Sequence, residues 1–206
     1  MGNRKCRYHR TLCLKCASRF IVYCAAEAAK QVPMAKTSAK PPILPDLLIP
    51  GLSLVFCGTA PGRMSAAQKA YYAHPQNKFW RVLHEAGFTP RLFAPSEYAL
   101  LPKHGIGLTD IAKYVSGNDN QLPPKSLGRD AAEALRARIA KHAPKRLAFT
   151  SLTGGRRVMG SKAEFGLQKE KIGDTEVWIL PSPSPAAHWN WDSQLWHALA
   201  AKVRKR

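Results

Sequence analysis

The chain has 206 residues, 45% of them apolar, and a formal net charge of +19 from 32 Lys and Arg against 13 Asp and Glu. That length supports one domain with a sizeable core plus a tail, and no apolar run approaches the roughly 18 residues of a membrane-spanning helix. The basic excess favours a polyanionic partner, because each neutralised phosphate releases condensed counterions. An anionic membrane surface is disfavoured, since no basic amphipathic helix with a broad apolar face is visible.

Residues 1–40 carry nine Lys or Arg and a single acid, Glu27, so they hold +8 of the net charge and leave +11 for the remainder. Cys6, Cys13, Cys16 and Cys24 crowd this stretch. Cys13-x-x-Cys16 has the spacing of half a metal site, but Cys6 and Cys24 complete no tight zinc pattern. The segment reads as a basic, poorly ordered tail with reduced thiols, or as an upstream extension of the reading frame with Met34 as the natural start. The apolar run from Phe20 to Ala26 is short and follows a stretch too polar for a signal peptide. An intracellular protein, in cytoplasm or nucleoid, is therefore expected, with residues 41–206 as its one folded domain. Neither a metal nor an organic cofactor is expected.

Pro41, Pro42, Pro45 and Pro50 mark an extended lead-in. A strand is predicted over about 52–57, then helices over about 65–72 and 77–87, where Phe79, Val82, Leu83 and Ala86 recur at helical spacing. A short helix near 96–102 precedes a second strand at 106–111. Asp130 to Lys141 reads as a helix stopped by Pro144. A third strand follows at 147–151, a helical turn opens at Gly154-Gly155, a fourth strand runs from Glu176 to Leu180, and Trp191 to Val203 closes the chain. This alternation predicts an α/β fold: a single three-layer domain with a short, mainly parallel central sheet flanked by helices.

Two stiff loops stand after apolar runs: Cys57-Gly58-Thr59-Ala60-Pro61-Gly62 and Pro181-Ser182-Pro183-Ser184-Pro185-Ala186-Ala187-His188. Loops at the carboxyl ends of parallel strands are where open α/β sheets bind ligands. Glycines at 58 and 62 let backbone approach a ligand, and Pro61 stiffens the turn. Tyr71-Tyr72-Ala73-His74-Pro75-Gln76-Asn77-Lys78-Phe79-Trp80 adds aromatic faces, a titratable His, an amide and a cation. Aromatic faces stack bases and amides read base edges. Asn77 also suits a helix start, and Phe79 and Trp80 suit the core.

The segments Gly58-Thr59-Ala60-Pro61-Gly62, Tyr72-Ala73-His74-Pro75-x-Asn77-x-Phe79-Trp80, Gly105-x-Gly107-x-Thr109-Asp110-Ile111 and Leu180-Pro181-Ser182-Pro183-Ser184-Pro185 occur in this order. Their order resembles that of the uracil-DNA glycosylase superfamily, nearest to its mismatch-specific uracil/thymine branch, over about residues 48–203. The resemblance implies a monofunctional enzyme that flips uracil, or another deaminated base, out of DNA and hydrolyses its N-glycosidic bond. It implies no metal or cofactor, and a monomer is expected. Gly58, Thr59 and Ala60 would read the base edge, and Tyr72 would stack on the flipped base. Ser182, Ser184, Ala187, His188 and Lys78 would contact DNA.

Two departures stand out. Mismatch-specific members carry a water-positioning Asn where this chain has Ala60, and relatives place His or Asn where it has Ser182. Another group must then serve the water. Asp110, at a strand end, is the first candidate, because a carboxylate orients water and balances positive charge on the sugar; Asn77 is second, with His188 and His74 after them. Hypoxanthine-DNA glycosylases share both departures, which makes hypoxanthine an alternative substrate. A non-catalytic binder of lesions or abasic sites is the rival from another class. Trp189 and Trp191 are expected either to rim the DNA surface or to pack the last helix.

Overall fold

The apolar runs align side by side in one five-stranded sheet. The structure, a computed structural model, describes residues 40–204, without the side chains of residues 188 and 190. The readings made for the N-terminal cysteines and for the His188 side chain lie outside what is described.

The strands are β1 (Leu54–Gly58), β2 (Ile106–Asp110), β3 (Arg146–Phe149), β4 (Gly166–Leu167) and β5 (Glu176–Ile179). Their spatial order is β2-β1-β3-β5-β4. The first four in that order pair in parallel, and only β4 runs antiparallel, against β5. The helices are α1 (Arg63–Gln68), α2 (Phe79–Glu85), α3 (Arg129–His142), α4 (Leu152–Met159) and α5 (Gln194–Arg204). The fold is the predicted one, a mainly parallel sheet with helices on both faces.

Side-chain alternation along the strands divides the interior into two cores. Leu54 and Phe56 of β1, Ile106 and Leu108 of β2 and Trp178 of β5 face α2 and α5. Val55 and Cys57, Leu147 and Phe149, and Val177 and Ile179 face α3 and α4. Phe56 anchors the first core: its ring stacks on Trp196 at 5.4 Å and meets Phe79 and Phe88 edge-on. In the second core α4 lies unusually close to the sheet, because Gly155 has no Cβ to collide with Ile179.

The proline-marked lead-in covers a sheet edge. Leu47 exchanges both backbone hydrogen bonds with Leu108 of β2, at 2.8 and 3.3 Å, so the outer side of β2 is not left as an open edge.

Some boundaries differ from the sequence reading. The first helix stops at Gln68 rather than near 72, because Lys69 and Tyr72 both take left-handed backbone, each with φ +52°. The last helix starts at Gln194 rather than Trp191, where Asp192 Oδ1 accepts the Gln194 amide at 2.8 Å. The two-residue strand β4 went unread. Arg204 donates to the Ala86 carbonyl at 2.8 Å and ties α5 to the end of α2.

Candidate active site

Parallel pairing brings four strand ends to one edge of the sheet. In the β1–β2 register Gly58 lies opposite Asp110. The loop after β1 is fastened through its carbonyls: Gly58 O accepts from Ile111 N (3.0 Å), Thr59 O from Ala112 N (2.9 Å) and Pro61 O from Gly117 N (3.0 Å). The amides of Thr59 and Ala60 find no protein acceptor among the described residues. Two adjacent unengaged amides on a fixed loop are preorganised donors for an anion or a carbonyl edge.

Asp110 is the unusual residue of this edge. It is 2% exposed, and its Oδ2 is buried with no hydrogen-bond partner among the described residues. A Cβ at position 58 would overlap Asp110 Oδ1 and stand 3.4 Å from Tyr72 Oη. Glycine is thus required at 58 for close approach, and the carboxylate, the Tyr72 hydroxyl and the loop meet at this point. Burial pushes the Asp110 carboxyl up to about 7; Lys113 and Arg138 pull it down and Asp46 pushes it up further. A carboxyl in that range exchanges its proton at working pH, which suits a general base.

Behind Asp110 lies a polar cluster that sequence reasoning missed. Asp46, from the lead-in, accepts from Thr109 Oγ1 and Lys113 Nζ, both at 2.6 Å, and its Oδ2 stands 3.5 Å from Arg138 Nε. Arg138 Nη2 donates to the Asp110 carbonyl at 2.9 Å. Lys113 Nζ also donates to Tyr71 Oη at 3.5 Å, and Tyr71 donates to the Pro45 carbonyl at 3.1 Å. With its ammonium committed to Asp46, Lys113 is a poor nucleophile.

Tyr72 holds a bulky side chain at φ +52°, a strained conformation that persists only where its surroundings impose it. Those surroundings are visible. Its ring lies on Phe79 at 3.8 Å and 16°, so one aromatic face is covered. Its hydroxyl meets Thr150 Oγ1 at 3.3 Å, and Thr150 in turn donates to Cys57 O at 3.3 Å. Burial, then the Asp110 charge, raise the phenol well above its ordinary range, so it stays neutral. Burial likewise pushes the Cys57 thiol up and leaves it inert.

Asn77 and Lys78 are brought to the site's flank rather than to Asp110. Asn77 Oδ1 accepts the Phe79 amide at 2.9 Å, the role of a helix-start residue. The Lys78 amide donates to Pro183 O at 2.9 Å, and its ammonium sits 4.8 Å above the Trp191 ring. This fastens the start of α2 to the loop after β5. Within that loop Ser182 Oγ accepts the Ser184 amide and Ser184 Oγ accepts the Ala186 amide, each at 3.3 Å, while Ala187 N donates to Ser184 O at 3.0 Å. The loop is therefore self-braced. Trp191 packs 6.1 Å from Trp196, as one reading had it, whereas Trp189 is 70% exposed.

The loop after β3 completes the edge. Ser151 Oγ accepts the Gly154 amide at 3.0 Å, opening α4, and meets Thr59 Oγ1 at 3.1 Å. Thr59 Oγ1 also donates to Asp119 at 3.4 Å. The signal for Thr150 and Ser151 was present, since they follow an apolar run as the two named loops do. Asp46 and Asp119 carried none, because they reach the site from elements distant in the chain.

Residues 45–201 match the family model of the uracil DNA glycosylase superfamily. A solution NMR structure of a candidate uracil DNA glycosylase from Methanosarcina acetivorans has the same fold, with 21% identity and a TM-score of 0.53 over 78% of this chain and 96% of that one. The match of the family model across most of the chain, with the sheet and strand-end loops above, places the protein: it belongs to the uracil DNA glycosylase superfamily, a superfamily of DNA glycosylases.

Proposed function

We propose that this protein is a monofunctional glycosylase that removes uracil from DNA, with Asp110 serving the attacking water. The observation that carries the reading is the buried, unpartnered Asp110 carboxylate, held against Gly58 beside two unengaged loop amides. The target base leaves the stack and enters the space at the strand ends. It stacks on the face of Tyr72 turned away from Phe79. The amides of Thr59 and Ala60 take up the charge that develops on the departing base.

The carbon–nitrogen bond breaks with its electron pair on the base, and the sugar gains oxocarbenium character. Ionised Asp110 stabilises that cation, orients a water toward the sugar carbon, and accepts the proton as the new carbon–oxygen bond forms. Ser182, Ser184, Ala187 and His188, with Lys78 and the exposed Trp189, contact the DNA beside the vacated position.

Ala60 and Ser182 favour a second reading, since hypoxanthine-removing relatives share those departures; hypoxanthine is the alternative base. The test is alkali cleavage of matched oligonucleotides carrying uracil, hypoxanthine or a G·T mismatch, single- and double-stranded. Breaks at uracil only after alkali support the proposal. Breaks at hypoxanthine alone replace the substrate. Intact strands at stoichiometric enzyme, with lesion binding retained, leave a non-catalytic binder.

A further inference from the structure

Beside the strand-end site, on the α3–α4 face, lies an open cleft of about 530 Å³ lined by Arg129, Arg136, Arg156 and Arg157, with Glu133 as its one lining carboxylate. We propose that this cleft is a second binding site, for the phosphate backbone of DNA flanking the target base. The inference rests on the glycosylase reading, which nevertheless assigns DNA contact only to the loop after β5 and its neighbours.

Chain direction places the cleft within reach. α4 leaves the carboxyl end of β3, and α3 leads into the amino end of the same strand, so both helices begin at the edge that carries Asp110. Arg157 links the two places. Its positive charge acts on Asp119, whose carboxylate accepts from Thr59 in the base-reading loop. A strand seated on the loop after β1 would next meet α4.

The arginines differ in how firmly they are held. Arg136 is structural, since it donates to the Val158 carbonyl at 2.7 Å and pairs with Glu170 at 3.0 Å. Arg156 Nε donates to the Ala163 carbonyl at 2.9 Å, and the residue as a whole is exposed. Arg129 is 89% exposed, with its helix neighbour Glu133 as its salt-bridge partner among the described residues. An i,i+4 pair of that kind is weak and yields to a phosphate. With Arg136 paired to Glu170, three guanidiniums against Glu133 still make a field that attracts a polyanion, and the planar fork suits phosphate oxygens. The openness of the cleft suits a passing backbone better than an enclosed small molecule.

The test is the salt dependence of binding to lesion-free duplex DNA, followed by fluorescence anisotropy for the wild type, R129Q/R157Q and a charge-matched control. The control, K141Q/K145Q, removes two exposed lysines near the opposite edge of the sheet. If both arginines neutralise phosphates, R129Q/R157Q loses about 1.8 from the slope of log affinity on log salt. The wild type then loses about 12-fold more affinity than this variant between roughly 50 and 200 mM salt. The control keeps the wild-type slope, and R129K/R157K restores it. Equal slopes for R129Q/R157Q and the control overturn the cleft while leaving the glycosylase reading intact. A slope change seen on duplex RNA but not on DNA overturns DNA as the occupant. Failure of the wild type to bind DNA at all overturns the glycosylase reading itself.

Discussion

Asp110→Asn separates what the buried carboxylate does for catalysis from what it costs the fold. The native carboxyl is raised to about 7 from an ordinary 3.8. Between those values the folded protein holds a proton that the unfolded chain has released, so wild-type stability falls as pH rises and the loss is complete just above 7. At about 1.36 kcal/mol per unit the whole shift is worth about 4 kcal/mol, more than half of which falls between pH 5 and pH 8. Asparagine has no such proton. Its buried amide lacks a partner and costs about 1–3 kcal/mol, but equally at both pH values. Urea denaturation of the two proteins at pH 5 and pH 8 therefore isolates the carboxylate. The stability difference, variant minus wild type, is expected to rise by about 2–3 kcal/mol from the lower pH to the higher. In single-turnover excision the variant should lose at least 100-fold in rate, on the order of what a general base contributes, with little change in affinity for an abasic duplex. The wild-type rate should climb with pH and level off above about 7, since only the ionised form can take the proton. Parallel stability curves would show that Asp110 titrates normally, and an unchanged excision rate would remove it from the mechanism.

Gly58→Ala should abolish excision and cost about 1–3 kcal/mol of stability, because the new methyl overlaps the Asp110 carboxylate; wild-type turnover by this variant would refute the close approach. Tyr72→Ala should weaken binding to a lesion duplex by about 1–3 kcal/mol relative to undamaged DNA, whereas Tyr72→Phe should retain most of it. Equal losses on both duplexes would mean that the ring does not stack on the base. Trp189→Ala, at a 70% exposed side chain, should reduce DNA affinity while moving thermal stability by no more than about 0.5 kcal/mol; a large drop in melting temperature would make it a packing residue instead.

The sheet was legible because its strands are dense apolar runs stopped by Gly or Pro, as a buried parallel strand must be. Helix positions followed from periodicity, but their ends did not. Nothing local in Lys69-Ala70-Tyr71-Tyr72 announces two left-handed residues. That turn is imposed from elsewhere, by Trp80 Nε1 donating to the Tyr71 carbonyl at 3.1 Å and by Ser65 Oγ accepting the Ala73 amide at 3.1 Å. Asp110 was picked out by its place at a strand end, but its isolation was not readable. It depends on which groups turn toward Asp46, a residue 64 positions earlier that spends its own oxygens on Thr109, Lys113 and Arg138. Pairwise chemistry across such separations leaves no spacing signal, whereas the backbone loops of the site do.

The placement of Asp110 also bears on Ala60, the first of the two departures from the family pattern. Ala60 packs toward the α3–α4 core and presents no polar side chain. Adjacent parallel strands end side by side, so the register of Gly58 with Asp110 makes the end of β2 the nearest alternative source of a polar group. A carboxylate there can reach the space in front of the first loop only if residue 58 lacks a Cβ, and it does. Under the proposed mechanism Ala60 and Gly58 would be parts of one arrangement, in which the group that serves the water stands on the neighbouring strand and not in the loop. An amide at position 60 would act independently of pH, whereas a buried acid at 110 would act best above about 7. A chain with Asn restored at position 60 should therefore regain excision in the Asp110→Asn background, and do so with a flat pH profile. Failure of that double variant, with its fold intact, would mean that the two strand ends do not address the same water.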